Sequence, residues 1–338
     1  LADFMKIFSV SNDLLPASYK KASEVLGLSY TESIKTVPLN KLKSSIASIK
    51  EDLTRVMQCE DNVTYLSNYL KIKRFLDRLS TPLISKKTLQ EIINSQKYEG
   101  VKNNLKSFIT DEPTRYSMSN SATGRLSVVS GAKILTAPSE VKTAFSSRFK
   151  DGAVLQIDLT CAEPNFALFY SGENPMRDLY EFCAKNVLDG RVDRNVAKLI
   201  LLSTIYGQSE KNLKQNLPSG VSTSSVIKQV KSFLSIDKTK SKLESALTEK
   251  NFRNYIGRPL YTNENRLLIS HFLQSSVAEC ALLMFEEFCN KEEVVPVFVI
   301  HDALIIDCKK EKVEELLSRN FSFDFANKKF PASVTRVA

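Results

Sequence analysis

Apolar residues spaced three and four apart mark much of this chain as helical, while short continuous apolar runs mark strands. Over residues 38–58, Leu39, Leu42, Ile46, Ile49, Leu53 and Val56 keep that spacing, which predicts an amphipathic helix with Pro38 in its first turn. A second helix is expected over 62–79 (Leu66, Tyr69, Leu70, Ile72, Phe75, Leu79), and a shorter one over 86–100 ending at Gly100. From 111 to 150 the helical period gives way to Ser, Thr, Gly and Pro with short strand-like pieces. AVLQI (153–157) reads as a strand with Asp158 near its C-terminal end; Glu163-Pro164 then opens a helix carrying Phe166, Ala167, Phe169 and Tyr170. A helix at 176–188 is followed by the stretch 191–207, a lysine-rich helical region to 253, a hairpin tip at 257–261 and a long helix over 265–289. VVPVFVI (294–300) and ALIID (303–307) flank His301-Asp302 and predict a hairpin with the acid at its tip. A helix at 310–319 and a strand in ASVTRVA close the chain.

The stretch 191–207 adds chemistry to this outline. Arg194, Lys198, Leu202 and Tyr206 recur every fourth residue, and each such step turns a helix by only about 40°. They share one face, two of them cations able to meet phosphate, while Val196, Ala197, Ile200, Leu201 and Ile205 anchor the helix. The net charge of +9 agrees, favouring an anionic partner, nucleic acid first. The basic helices before residue 110 fit either a solvated bundle or a surface that grips a duplex. SATGRLS (121–127) is either a surface turn or a loop that lies along a nucleic-acid backbone.

Other totals narrow the class. Six cysteines without a C-x-x-C pair imply reduced thiols in a cytosol-like compartment, with no disulfide framework and no zinc site. Two histidines exclude a histidine-rich metal centre. No apolar run is expected to reach membrane-span length, and no signal peptide opens the chain, so a soluble intracellular protein without a membrane partner is expected. A start at Leu1 in place of Met suggests processing or a piece cut from something longer.

Asp158 and Asp302 stand far apart in sequence, yet each ends an apolar strand. An acid so placed serves by default as a helix cap; its alternative is a metal ligand. If the two strands are antiparallel neighbours, the carboxylates meet and can hold two Mg²⁺ ions, with Mn²⁺ as a substitute. The cationic face of 191–207 would then receive a triphosphate.

With those residues in place, the sequence over roughly 115–338 resembles the polymerase domain of family A DNA polymerases, the DNA polymerase I family. IDLTCAE resembles motif A, which implies Asp158 as a catalytic aspartate and Glu163 as the acid screening the sugar 2′ position. RNVAKLILLSTIYG resembles motif B, implying Arg194 and Lys198 as triphosphate ligands, Lys198 also catalytic, and Leu202 and Tyr206 beside the nucleotide. VIHDALI resembles motif C, implying Asp302 as the second metal-binding catalytic aspartate and His301 near the primer terminus. SATGRLS is similar to the family's T-x-TGRLS stretch, implying a DNA contact for Arg125, and Gln274 matches a glutamine that touches the minor groove. The chain departs from the family at Leu202 and Ser203, where an aromatic and a glycine are usual. Further departures are Pro164-Asn165 for Leu-Arg, Ala303 for Glu, and Tyr180 for His.

The resemblance implies an α+β right-hand polymerase: helical thumb 1–110, antiparallel-sheet palm 111–175 and 263–338, helical fingers 176–262. It implies a nucleotidyltransferase that extends primer–template DNA with dNTPs, of a compact phage or mobile-element type. The N-terminal helices are too few for a proofreading exonuclease. Two rivals are a single-subunit phage-type RNA polymerase, against which Glu163 speaks, and a degenerate polymerase fold that binds primer–template as a scaffold.

Overall fold

The computed structural model describes residues 38–262, 264–318 and 320–338, together with residues 21 and 25. The rest of the expected thumb segment before residue 38 lies outside the described residues. Two compact units divide the chain: residues 1–67 with 257–259, and residues 68–256 with 260–338.

The first unit holds α1 (Leu39–Met57) and the start of α2 (Glu60–Asp77). Pro38 stands at the cap position of α1, one residue outside the first turn expected for it. Asn62 Nδ2 donates to Val56 O at 2.9 Å and closes the turn between the helices. Leu39, Ile46 and Leu53 of the predicted apolar face are exposed, while Val56 is buried.

The second unit begins inside α2, where Ile72 and Phe75 are fully buried. After β1 (Leu83–Ile84), the segment expected as one helix to Gly100 is two, α3 (Lys86–Ser95) and α4 (Glu99–Lys106). Gln96 is extended between them, and Gly100 sits in the first turn of α4, where its free N–H costs the helix little. Then come β2 (Arg115–Ser117), β3 (Ser127–Ser130) and β4 (Phe145–Ser146). Strand β5 (Ala153–Leu159) leads into α5 (Ala162–Ser171). The helix expected at 176–188 starts later, as α6 (Leu179–Phe182) running on into a π-helical turn, Cys183–Val187. Helices α7 (Arg194–Ile205), α8 (Glu210–Lys214), α9 (Thr223–Phe233) and α10 (Ile236–Thr248) follow. The expected hairpin tip at 257–261 has single bridge residues, at 253 and 259, in place of strands, and Leu260 N–H donates to Phe252 O at 2.8 Å. The chain ends with α11 (Leu268–Lys291), β6 (Val295–Ile300), β7 (Ala303–Cys308), α12 (Lys310–Ser318), β8 (Ser322–Phe325) and β9 (Lys328–Arg336).

Five of these strands form one antiparallel sheet in the order β6-β7-β5-β9-β8, giving an α+β fold. Strand β5 is central because it is apolar on both faces: Val154, Leu155 and Ile157 are buried. Helices α5 and α11 pack together, with the rings of Tyr170 and Phe272 4.6 Å apart, and Phe166 and Phe169 of α5 are buried against each other. Each such buried aromatic contributes about 1.5–3 kcal/mol. Helix α11 corrects one expectation. With its preceding turn it is 27 residues long and apolar enough to cross a membrane, yet 72% of that window is buried inside the fold.

The sheet is pinned at the end opposite Asp158. Asp307 on β7 is buried and accepts from Ser147 Oγ at 2.6 Å and from Arg148 N and Nε at 2.9 Å. Removing a partner of a buried carboxylate strands its charge. Arg148→Met should therefore cost about 2–3 kcal/mol, discounted for the partial exposure of the guanidinium. The readout is a lowered urea midpoint at unchanged slope. A loss below about 0.5 kcal/mol would contradict this account.

Candidate active site

Register brings the two aspartates together. Asp158, next to last in β5, pairs with Ala303, and Leu159 N–H donates to Asp302 O at 3.1 Å. Ile300 and Ala303 pair, so only His301 and Asp302 turn the hairpin, and His301 takes a left-handed φ of 53° to do so. The strand entering that turn is clamped from β2: the buried Tyr116 hydroxyl donates to Val299 O at 2.9 Å.

Both carboxyls are poorly hydrated. Burial, and then the charge of Asp302, push the Asp158 carboxyl up to about 6, partly countered by Lys142. Burial also raises Asp302, against its own backbone N–H and the charges of His301, Arg125 and Lys198. A close pair of desolvated carboxylates calls for cations. Among the described residues no group of three or more potential His, Cys, Asp or Glu ligands assembles. The donor set is thus a pair of hard oxygen ligands, which suits Mg²⁺ completed by substrate phosphates better than a protein-only cage.

Beside the pair lies a cleft of about 340 Å³ that Asp302 lines and Asp158 does not. Asp302, His301 and Gln274 form part of its wall, and Arg125, Glu163, Leu202 and Tyr206 another part. Glu163 comes from the first turn of α5, which Cys161 starts with a left-handed backbone at φ 49°. Its carboxylate accepts from Arg125 Nη2 at 3.0 Å and from the Tyr206 hydroxyl, so three separate segments meet on one acid. Burial raises Glu163, with Tyr206 and Arg125 opposing. Burial and the bond to Glu163 push the Tyr206 phenol up to about 12, while Gln274 bonds to the same hydroxyl and lowers it. Tyr206 therefore stays a neutral donor at working pH.

Helix α7 presents the rest. Asp193 caps it, its Oδ1 accepting from Val196 N–H at 2.8 Å, and Ala197, Ile200, Leu201 and Ile205 are buried as the spacing predicted. Leu202 reaches the cleft; Arg194 and Lys198 do not line it. Arg194 Nε instead donates to Asp178 at 3.0 Å, and both cations lie over the ring of Tyr180, which does line the cleft.

Glu163, Arg125, Leu202, Tyr206, Gln274, His301 and Asp302 thus line one cleft, with Asp158 next to Asp302 on the neighbouring strand and Arg194 and Lys198 at the edge. Lys142 was not foreseen. It donates to Gln156 at 2.7 Å, on the same strand face as Asp158 two residues on. Strand alternation could have put Gln156 and Asp158 together, but the 3₁₀ turns holding Lys142 (Ser139–Ala144) have no periodic signature. Tyr180 was visible only as a departure from the family pattern.

No known protein family matches this chain by sequence, and no curated protein does. Among solved structures it is similar to the POL domain of Pol1 from M. smegmatis, determined in complex with DNA primer-template and dNTP. That likeness has a TM-score of 0.55 at 12% identity and covers 90% of this chain and 75% of the other. The fold is that of a polymerase domain.

A carboxyl raised by folding opposes the folded state once charged. For Asp158 the penalty is absent below about pH 4 and complete above about pH 6. Asp158→Asn should stabilise the EDTA-treated protein at pH 8 by about 1–2 kcal/mol, discounted for partial exposure, and by nothing at pH 4. Thermal melts of both proteins at the two pH values check this; equal melting temperatures at pH 8 would refute it.

Proposed function

We propose that the chain is a template-directed DNA polymerase that extends a primer with dNTPs. The observation that carries this reading is the pair of desolvated carboxylates, Asp158 and Asp302, on adjacent strand ends beside a cleft edged by Arg194 and Lys198. In it, residues 1–110 act as a thumb, 111–175 and 263–338 as the palm, and 176–262 as the fingers. Primer–template DNA and dNTPs are its partners.

Asp158 and Asp302 would hold two Mg²⁺ ions, or Mn²⁺ in their place. Ions bound there supply acidity for the primer 3′-hydroxyl and charge for the departing pyrophosphate. Arg194 and Lys198 neutralise the triphosphate, and Lys198 stands ready to give a proton to the leaving oxygen. Glu163, held by Arg125 and Tyr206, fills the space a 2′-hydroxyl would need and repels it as an unpaired polar group. Leu202 packs against the nucleotide. Arg125 and Gln274 meet the duplex, and His301 lies by the primer terminus. Contacts to phosphate give grip without sequence preference, so DNA affinity falls steeply with salt.

Ala303, buried directly after Asp302, favours a second reading. In it, the fold holds primer–template without extending it. Primer binding with no extension in either Mg²⁺ or Mn²⁺ would select that reading.

The test is gel-resolved extension of a primed template with Mg²⁺. Asp302→Asn should lower extension by about two to three orders of magnitude while leaving the melting temperature at or above wild type. Wild-type rates in that variant would sink the assignment. Glu163→Ala should shrink the preference for dNTPs over rNTPs by about 10- to 100-fold, read as the ratio of kcat/KM values. An unchanged ratio would remove Glu163 from sugar selection, and a wild-type preference for rNTPs would make the protein an RNA polymerase.

A further inference from the structure

Arg194 and Lys198 stand one turn apart on α7, where like charges repel. Both nonetheless lie over one aromatic ring: the guanidinium carbon is 5.5 Å and the ammonium 5.7 Å from the centroid of Tyr180. The negative face of an aromatic ring attracts cations at that range, and here it offsets their mutual repulsion. Arg194 has a second tether, since its Nε donates to Asp178 Oδ1 and Oδ2 at 3.0 and 3.3 Å. Asp178 in turn caps α6 through Glu181 N–H, fixing the turn that carries Tyr180. Among the described residues Lys198 shows no such anchor; it lies over the ring and its charge acts on Asp302.

The ring itself is held firmly. Tyr180 is 8% exposed, its phenol interacts with the Cys161 side chain, and the helix continues without a break into the π turn at Cys183. A fixed ring can organise mobile side chains without trapping them, because a cation over a ring keeps its donors free for phosphate.

We propose that Tyr180 is the positioning residue of this site. Its ring face prearranges the Arg194 and Lys198 charges beside the Asp158–Asp302 pair, so that a nucleotide triphosphate meets both cations already in place. This rests on the polymerase reading. It assigns to the ring, together with the Asp178 tether on Arg194, what would otherwise require each side chain to be ordered when the nucleotide binds. The hydroxyl serves only to seat the ring against Cys161.

The experiment compares wild type with Tyr180→Leu, Tyr180→Met and Tyr180→Phe in single-nucleotide extension and in inhibition by inorganic pyrophosphate. Loss of the face in the Leu and Met variants should raise KM for dNTP and the pyrophosphate inhibition constant on the order of tenfold, with kcat falling far less. Tyr180→Phe keeps the face and should bring both constants back to within about twofold of wild type. Equal constants in the Leu variant, or a Phe variant as impaired as the Leu variant, would overturn the proposal. Melting temperatures identify a variant that is merely unfolded; Met, closer in volume and flexible, covers a failure of Leu. A second readout needs no catalysis. In ¹³C-lysine NMR, the ring current of Tyr180 should shift the Lys198 ε-methylene upfield in wild type and Tyr180→Phe and not in Tyr180→Leu. If wild type extends no primer, the polymerase reading fails while the ring-current shift still decides whether the ring holds the cation. An unshifted methylene in wild type would overturn the positioning role.

Discussion

Two carboxylates that water cannot fully reach sit at adjacent ends of antiparallel strands, and much of the surrounding structure answers to that charge. The strands hold the acids in register because β5 is paired on both sides and the hairpin after β6 has only two residues. The Tyr116 clamp steadies one end of the sheet, and the Asp307–Arg148–Ser147 cluster steadies the other. Cations stand around the pair: Lys142 acts on Asp158, and Arg125 and Lys198 act on Asp302. Carboxylates left without such neighbours would protonate near neutral pH and lose their use as ligands.

The cleft has a stiff floor and an adjustable wall. The floor is sheet and buried aromatic rings. The wall depends on contacts that cross between segments: Arg125 to Glu163, Tyr206 to Glu163, and Arg194 to Asp178. All involve partly exposed charged or phenolic groups, so each is individually weak and exchangeable. An incoming ligand can replace such contacts at small cost.

Much of this was legible in sequence, and the failures have physical causes. The strand ends, the four-residue recurrence on α7 and the acid at the hairpin tip are local patterns; strand register brings the two acids together, while of the α7 face only Leu202 and Tyr206 reach the cleft. Gly100 misled because glycine ends helices more often than it begins them, and the signal for α4 is only Val101 and Leu105. The β8–β9 turn was hidden because Ala326 and Asn327 both adopt positive φ, a conformation alanine rarely takes. The apolar run in α11 carried no mark of whether protein or lipid covers it; only packing tells. Lys142 and Tyr180 are placed by tertiary contacts with no sequence period, and the family resemblance named Tyr180 only as a difference.

The place of β5 in the sheet has a consequence for how the protein is made. Both of its partners, β7 and β9, come from residues after 302, so the central strand emerges from the ribosome long before anything can pair with it. Until the last strands arrive, an apolar strand with two open edges waits in a nascent chain, a hazard for aggregation and a point where a chaperone would act. Contacts of such long sequence separation also slow the final step of folding. Chains truncated near the C-terminus would therefore lack a sheet as well as a site, and cellular proteolysis would clear them as unfolded protein.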